Sequence, residues 1–240
     1  MNRRDSSRRK LWAALIFLCV LGAAVIVRRM VALWPVLLHG YRPATLPSGP
    51  LGAQFAGLDD LFAKYALLTL IHILPALLFV TLGPLQFHAG LRARHPLWHR
   101  VSGRVFLVAA LVIGSSALVM SFWMPAVGGP LQAIATAIFS AYFLYALGKG
   151  FWHIRRRELP RHRAWMVRAF STGIAVATIR PIVGVFFATS RLTGLTPRQF
   201  FGLAFWMGFL AHLLLTEYWL RSNASEGRAA AAAGSAPSPG

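Results

Sequence analysis

Apolar residues in this chain fall into long runs separated by short stretches that are either basic or rich in Pro and Gly. The runs cover Leu11 to Val27, Leu61 to Leu85, Val105 to Met124, Leu131 to Trp152, Ala164 to Phe187 and Phe200 to Leu220. Crossing a hydrocarbon layer of about 30 Å takes about 20 helical residues. None of the runs shows the period-two alternation of a barrel strand, so the pattern predicts an all-α integral membrane bundle of six transmembrane helices. Three segments follow: a basic N-terminus over residues 1–10, a transmembrane domain over 11–220, and a disordered cytoplasmic tail over 221–240, rich in Ala, Gly, Ser and Pro. The first run reads as an uncleaved membrane helix, because Arg28-Arg29 stands where a signal peptide would need small residues for cleavage.

Composition agrees: the chain is 57% hydrophobic and only 13% charged, well away from a soluble domain. The 25 basic residues against six acids would suit nucleic acid, but they sit at the ends of apolar runs, where they act as a topology signal. Placing the N-terminus in the cytoplasm puts 18 of the 25 inside, so both termini are expected there, in a bacterial inner membrane. Nucleic acid is therefore not an expected partner; membrane lipids are, together with a redox partner or another membrane subunit. Pro125 to Pro130 is expected to join antiparallel neighbours, and the segment from His39 to Asp60 to form a partial lid over the outer mouth. Cys19 is the one cysteine, which excludes disulfides and thiolate metal sites. There is no Gly-rich phosphate loop, no HExxH, no CxxC and no Ser/His/Asp order with a buried acid, so hydrolase, nucleotide-driven pump and zinc protease are excluded, and no catalytic set or metal site is assigned.

Ionisable groups inside membrane helices are costly and mark candidate chemistry. His72 lies 11 residues past Leu61, roughly 17 Å deep, with Pro75 expected to kink its helix. His212 lies 12 residues past Phe200, roughly 18 Å deep. Two imidazoles at matching depth are what axial ligation of a haem b needs. Arg180 requires an anion, a carbonyl cluster or water, and a haem propionate, a quinone oxygen or a lipid phosphate would each serve. Glu217 is expected to pair with Arg221 four residues on. The basic stretches carry a different candidate: His99, Arg100, Arg104, His162, Arg163 and Arg168 face the cytoplasm as an anion or lipid-headgroup surface, with Trp98, Trp152 and Trp165 as an interfacial belt.

Four short motifs, His72-Ile-Leu-Pro75-Ala, Gly83-Pro84-Leu85-Gln86-Phe87, His99-Arg100-Val-Ser-Gly103-Arg104-Val105 and His162-Arg163-Ala-Trp165-Met166-Val-Arg168, stand upstream of Arg180. With them the chain resembles a bacterial family of multi-pass membrane proteins, domain-of-unknown-function family 2306, over roughly Leu61 to Leu220. The resemblance implies a membrane domain without an assigned activity. The element from His99 to Arg104 is also similar to the histidine-plus-glycine helix start of b561-type membrane cytochromes, but here His99 is expected ahead of the helix and no second ligand follows at regular spacing. Two readings result. In one, a small haem-associated or redox membrane protein uses His72, His212 and Arg180 to hold its cofactor. In the other, a non-enzymatic transport, lipid-interacting or accessory protein lines a polar pathway with His72 and Arg180.

Overall fold

The computed structural model describes residues 3–42 and 50–234, and among these it holds eight helices and no strand. In chain order they are α1 (Arg3–His39), α2 (Pro50–Lys64), α3 (Ala66–Phe87), α4 (Ala89–Arg94), α5 (Pro96–Trp123), α6 (Gly129–Arg155), α7 (Leu159–Thr193) and α8 (Pro197–Gly234). Six of them, all but α2 and α4, are long and apolar enough to cross a membrane. The expected six-helix bundle is therefore the fold. The helices outrun their apolar cores because a helix does not stop where hydrophobicity does: polar first and last turns keep making backbone hydrogen bonds outside the hydrocarbon.

Three boundaries move far enough to matter. α1 continues through Arg28 and Arg29 to His39, since the residues that follow, Met30 to Leu38, are again apolar and the two arginines find a partner on α2. The predicted second run is split at Tyr65, where the backbone leaves helical geometry, so α2 and α3 are separate. Within the segment expected to form a lid, residues 43–49 lie outside the described residues, while α2 packs against α1 and α3. Finally, α5 opens at Pro96, in the first helical turn where proline's missing N–H costs nothing. His99, expected ahead of the helix, is thus inside it. At the other end of the chain α8 is helical to Gly234, and residues 235–240 of the expected tail lie outside the described residues.

α3, α5, α6 and α7 form the body of the bundle, α1 lies along α3 and α7, and α8 lies along α6 and α7. Their centre is aromatic. Phe79 of α3 stacks on Phe106 of α5 at 4.8 Å between ring centroids and meets Phe170 of α7 at 5.2 Å and Phe143 of α6 at 5.8 Å. Rings of this size fit between helices only where the facing helix has no side chain: a Cβ on Gly83 would run into Phe170, and one on Gly173 into Phe79. Small residues at crossings are what membrane helices need, since lipid tails compete on equal terms for apolar contact and close packing must supply the preference. A second aromatic core, with Phe139 stacked on Phe209 at 4.6 Å, joins α6 to α8. Outward, Leu67, Phe122, Trp123, Leu214 and Leu215 are strongly exposed, as lipid-facing positions should be.

Because α3, α5, α6 and α7 alternate in direction, one end of the bundle collects the last turn of α3, α4, the start of α5, the end of α6 and the start of α7. This is the arginine-rich end. The opposite end carries the close of α1, α2 and the turn between α5 and α6, which are packed neighbours as expected.

Candidate functional site

Polar groups within the bundle gather in three places. The first lies towards the far end, between α1, α2 and α7. Arg28 grips Asp59 with two bonds, 2.7 Å and 3.2 Å, and Arg29 donates to the same carboxylate. Arg29 is only 8% exposed, and its guanidinium lies 4.0 Å from the centre of the Phe62 ring, a geometry that places the cation on the electron-rich face. Tyr41 donates to Asp60 at 3.0 Å, adding a second tie from the chain beyond α1 to α2. Arg180 of α7 is close enough for its charge to act on Arg28, on Arg29 and on His72. The Nε of Arg180 is enclosed and has no hydrogen-bond partner among the described residues.

His72 completes this region from α3. Its Nδ1 lies 3.0 Å from Ser116 Oγ of α5, and that hydroxyl spends its one proton on the carbonyl of Val112 at 2.6 Å. Ser116 must then accept, so Nδ1 of His72 carries the proton and Nε2 keeps a lone pair in the neutral ring. Because α3 begins at Ala66, His72 is about 9 Å along the helix, not the 17 Å reckoned from Leu61.

The second place is the seam between α7 and α8. Glu217 is held by Arg168 through both carboxylate oxygens, with Arg168 Nη2 at 2.9 Å, and the Arg168 guanidinium also stacks over Trp165 at 4.7 Å. The expected partner was Arg221; Arg168 reaches the carboxylate because the α7–α8 packing brings it alongside, and a two-bond fork outcompetes a single exposed i,i+4 contact. One turn further in, Thr216 donates to Ser171 at 2.7 Å, Ser171 Oγ lies 3.2 Å from His212 Nδ1, and Thr178 Oγ1 lies 2.8 Å from His212 Nε2. Both nitrogens of His212 are thus engaged by hydroxyls of α7.

His72 and His212 are not brought together as a pair. α7 stands between them: Phe170 and Gly173 turn towards Gly83 and Phe79 of α3, while Ser171 and Thr178 turn towards His212. The opposed imidazoles that a haem iron needs are not formed by these two residues.

The third place is the arginine-rich end, where the motif residues meet. Gln86 of α3 donates to Ser102 of α5 at 2.7 Å and lies against Gly103, a position where a side chain would crowd it. His162 of α7 holds the Gly150 carbonyl of α6 at 2.8 Å through Nδ1, and Met166 packs on Gly150 itself. Glu158 accepts from His153 at 2.7 Å and from Arg161 at 3.0 Å, and these bonds, that from Arg161 first, hold its carboxyl below the ordinary range. Of the six residues expected to form an anion surface, Arg100, Arg104 and Arg163 are exposed, His99 and His162 are half-buried, and Arg168 is committed to Glu217. No group of three His, Cys, Asp or Glu residues that could hold a metal occurs among the described residues.

Sequence reasoning missed Arg29, Asp59, Ser116, Ser171 and Thr178. The first two had a signal: Arg28-Arg29 is followed by nine residues without a charge, which places it within an apolar stretch, and Asp59-Asp60 is the only pair of adjacent acids in the chain. The hydroxyls had none, since serine and threonine are ordinary in membrane helices.

A helical bundle with six membrane-length helices, a buried arginine and histidines within its apolar helices defines a multi-pass membrane protein. Residues 69–220 match the family described as Predicted membrane protein (DUF2306), and the chain belongs to that family. The match takes in α4 to α7, nearly all of α3 and α8 as far as Leu220, and so includes His72, Ser116, Arg180 and His212, while Arg28, Arg29 and Asp59 lie before it. No curated protein matches the chain, and no solved structure does.

Proposed function

We propose that this protein binds an amphiphile from the bilayer, with Arg180 holding an anionic or carbonyl group of that ligand in the half of the bundle away from the arginine-rich end. The reading is of a non-enzymatic lipid-interacting or transport protein in a bacterial inner membrane, with the arginine-rich end and both termini in the cytoplasm, as the bias of positive charge favours. One observation carries it: the enclosed Nε of Arg180 has no acceptor. Leaving a buried donor unsatisfied costs about 1–3 kcal/mol, more for a charged group. The carboxylate of Asp59 is held by Arg28 and Arg29. An acceptor supplied by a ligand removes the cost, and lipid phosphates, carboxylates and quinone carbonyls all offer one in the geometry a guanidinium accepts.

The test is mass spectrometry of the lipids that remain with the protein after purification in mild detergent. Wild type is expected to retain an anionic or quinone-type amphiphile that the Arg180→Gln protein loses. Identical lipid content in the two would overturn the proposal. The same samples decide the haem b reading: a Soret band in wild type that disappears in His72→Ala would replace this function with a redox one.

A further inference from the structure

The arginine-rich end contains a second, separate grouping of cations. His99 sits in the first turn of α5, and its Nδ1 is enclosed without a partner among the described residues. Arg92 of α4 and His162 and Arg163 of α7 all lie near enough for their charges to act on it, so two neighbouring helices bring basic groups to one imidazole of a third. The local acids do not offset them. Of the carboxylates whose side chains are described at this end, Glu158 is taken by His153 and Arg161, and Glu217 by Arg168. The backbone adds to the imbalance: α5 and α7 both start here without a side-chain cap, the carboxylate of Glu158 at the N-cap of α7 being taken by His153 and Arg161, and a helix start is already electropositive. Cations drawn together at a helix start repel one another and the helix. A fold that builds such a place gains by filling it with negative charge.

We propose that His99, Arg92, Arg163 and His162 form a phosphate-binding site at the arginine-rich end, occupied by the phosphate of an anionic lipid headgroup or by free phosphate. His162 is fixed in place by its bond to the Gly150 carbonyl, which leaves its Nε2 edge for the ligand, and Arg163, exposed beside it, supplies a guanidinium fork. Arg100 and Arg104 lie further along α5 on exposed positions and add to the field without belonging to the site. Arg168, closed on Glu217, takes no part.

The experiment is native mass spectrometry of the full chain in detergent, titrated with phosphatidylglycerol, phosphatidylcholine and inorganic phosphate. Wild type is expected to bind phosphatidylglycerol in preference to phosphatidylcholine, and Arg163→Gln and Arg92→Gln to weaken that binding about tenfold each, the scale of a lost charge-assisted bond. Arg155→Gln removes the same charge from an exposed position on α6 and serves as the control. Competition by inorganic phosphate against phosphatidylglycerol supports the site with the lipid as one ligand; binding of inorganic phosphate alone supports it with free phosphate as the ligand. Binding of neither overturns the proposal, and so does an equal loss in Arg155→Gln, which would reduce the effect to net charge. Arg180→Gln is expected to leave this binding unchanged, so the failure of one site does not imply the failure of the other.

Discussion

The α7–α8 seam and the cluster around Arg180 are made of the same materials, arginine, carboxylate, histidine and hydroxyl, and treat them in opposite ways. In the seam every charge is closed: Arg168 with Glu217, His212 between Ser171 and Thr178, Thr216 on Ser171. Around Arg180 one carboxylate, Asp59, serves two arginines, and the third keeps an enclosed donor without an acceptor. A closed network fixes how two helices pack. An open one stores a cost that a ligand can relieve, and on the proposed function that difference separates the polar groups that hold the fold from the one that holds a ligand.

The sharpest way to break the comparison is Glu217→Ala. It leaves Arg168 partly buried without its partner, and thermal unfolding in detergent should show a loss of about 2 kcal/mol, below the full cost of a broken buried pair because both groups retain some solvent. A neutral result would mean that the seam is not closed by this pair. Arg180→Met should act in the other direction. Replacing a half-buried guanidinium whose enclosed Nε has no partner by a flexible apolar chain is expected to raise stability by about 1 kcal/mol while abolishing retention of the amphiphile. A clear loss of stability would show that Arg180 is a structural group after all. Thr178→Val takes one hydroxyl from His212 and should cost about 0.6 kcal/mol, the usual size of a hydrogen bond between membrane helices; a change in lipid retention instead would tie His212 to the ligand.

The smallest effect is a pH dependence at the α6–α7 turn. The carboxyl of Glu158 is held below its ordinary value of 4.5 by Arg161 and then His153. A depressed carboxylate contributes stability that is complete above the ordinary value and is lost as pH falls through the lowered one. The melting temperature of Glu158→Gln should therefore lie below that of wild type at neutral pH, with the gap closing only below about pH 4.5. A gap that stays constant under acid would show that the carboxylate's charge plays no part in the turn.

Much of this molecule could be read along the chain. Six long apolar runs could only be helices crossing a bilayer, because each backbone amide must be satisfied within its own segment there. The basic stretches marked one end, and His72, Arg180 and His212 were visible as costly residues in apolar surroundings. The motif glycines and histidines were visible too, but not their roles. Gly83 makes room for a phenylalanine 87 positions away, and His162 holds a carbonyl across a turn.

Partnership was the part that sequence could not supply. Depth along a helix follows from counting residues, at 1.5 Å each, once the helix start is known. The break at Tyr65 moved that start for His72, the packing of α3 on α5 sent His72 to Ser116, and the facing of α7 sent His212 to Ser171 and Thr178. Likewise Glu217 had a local candidate in Arg221 and took a distant one in Arg168. Hydrophobicity and charge act residue by residue and so determined the membrane, the helices and the basic end. Hydrogen bonds and ion pairs act between helices at distances of about 3 Å, and which groups meet at that range was decided by the packing of glycines against phenylalanines in the core.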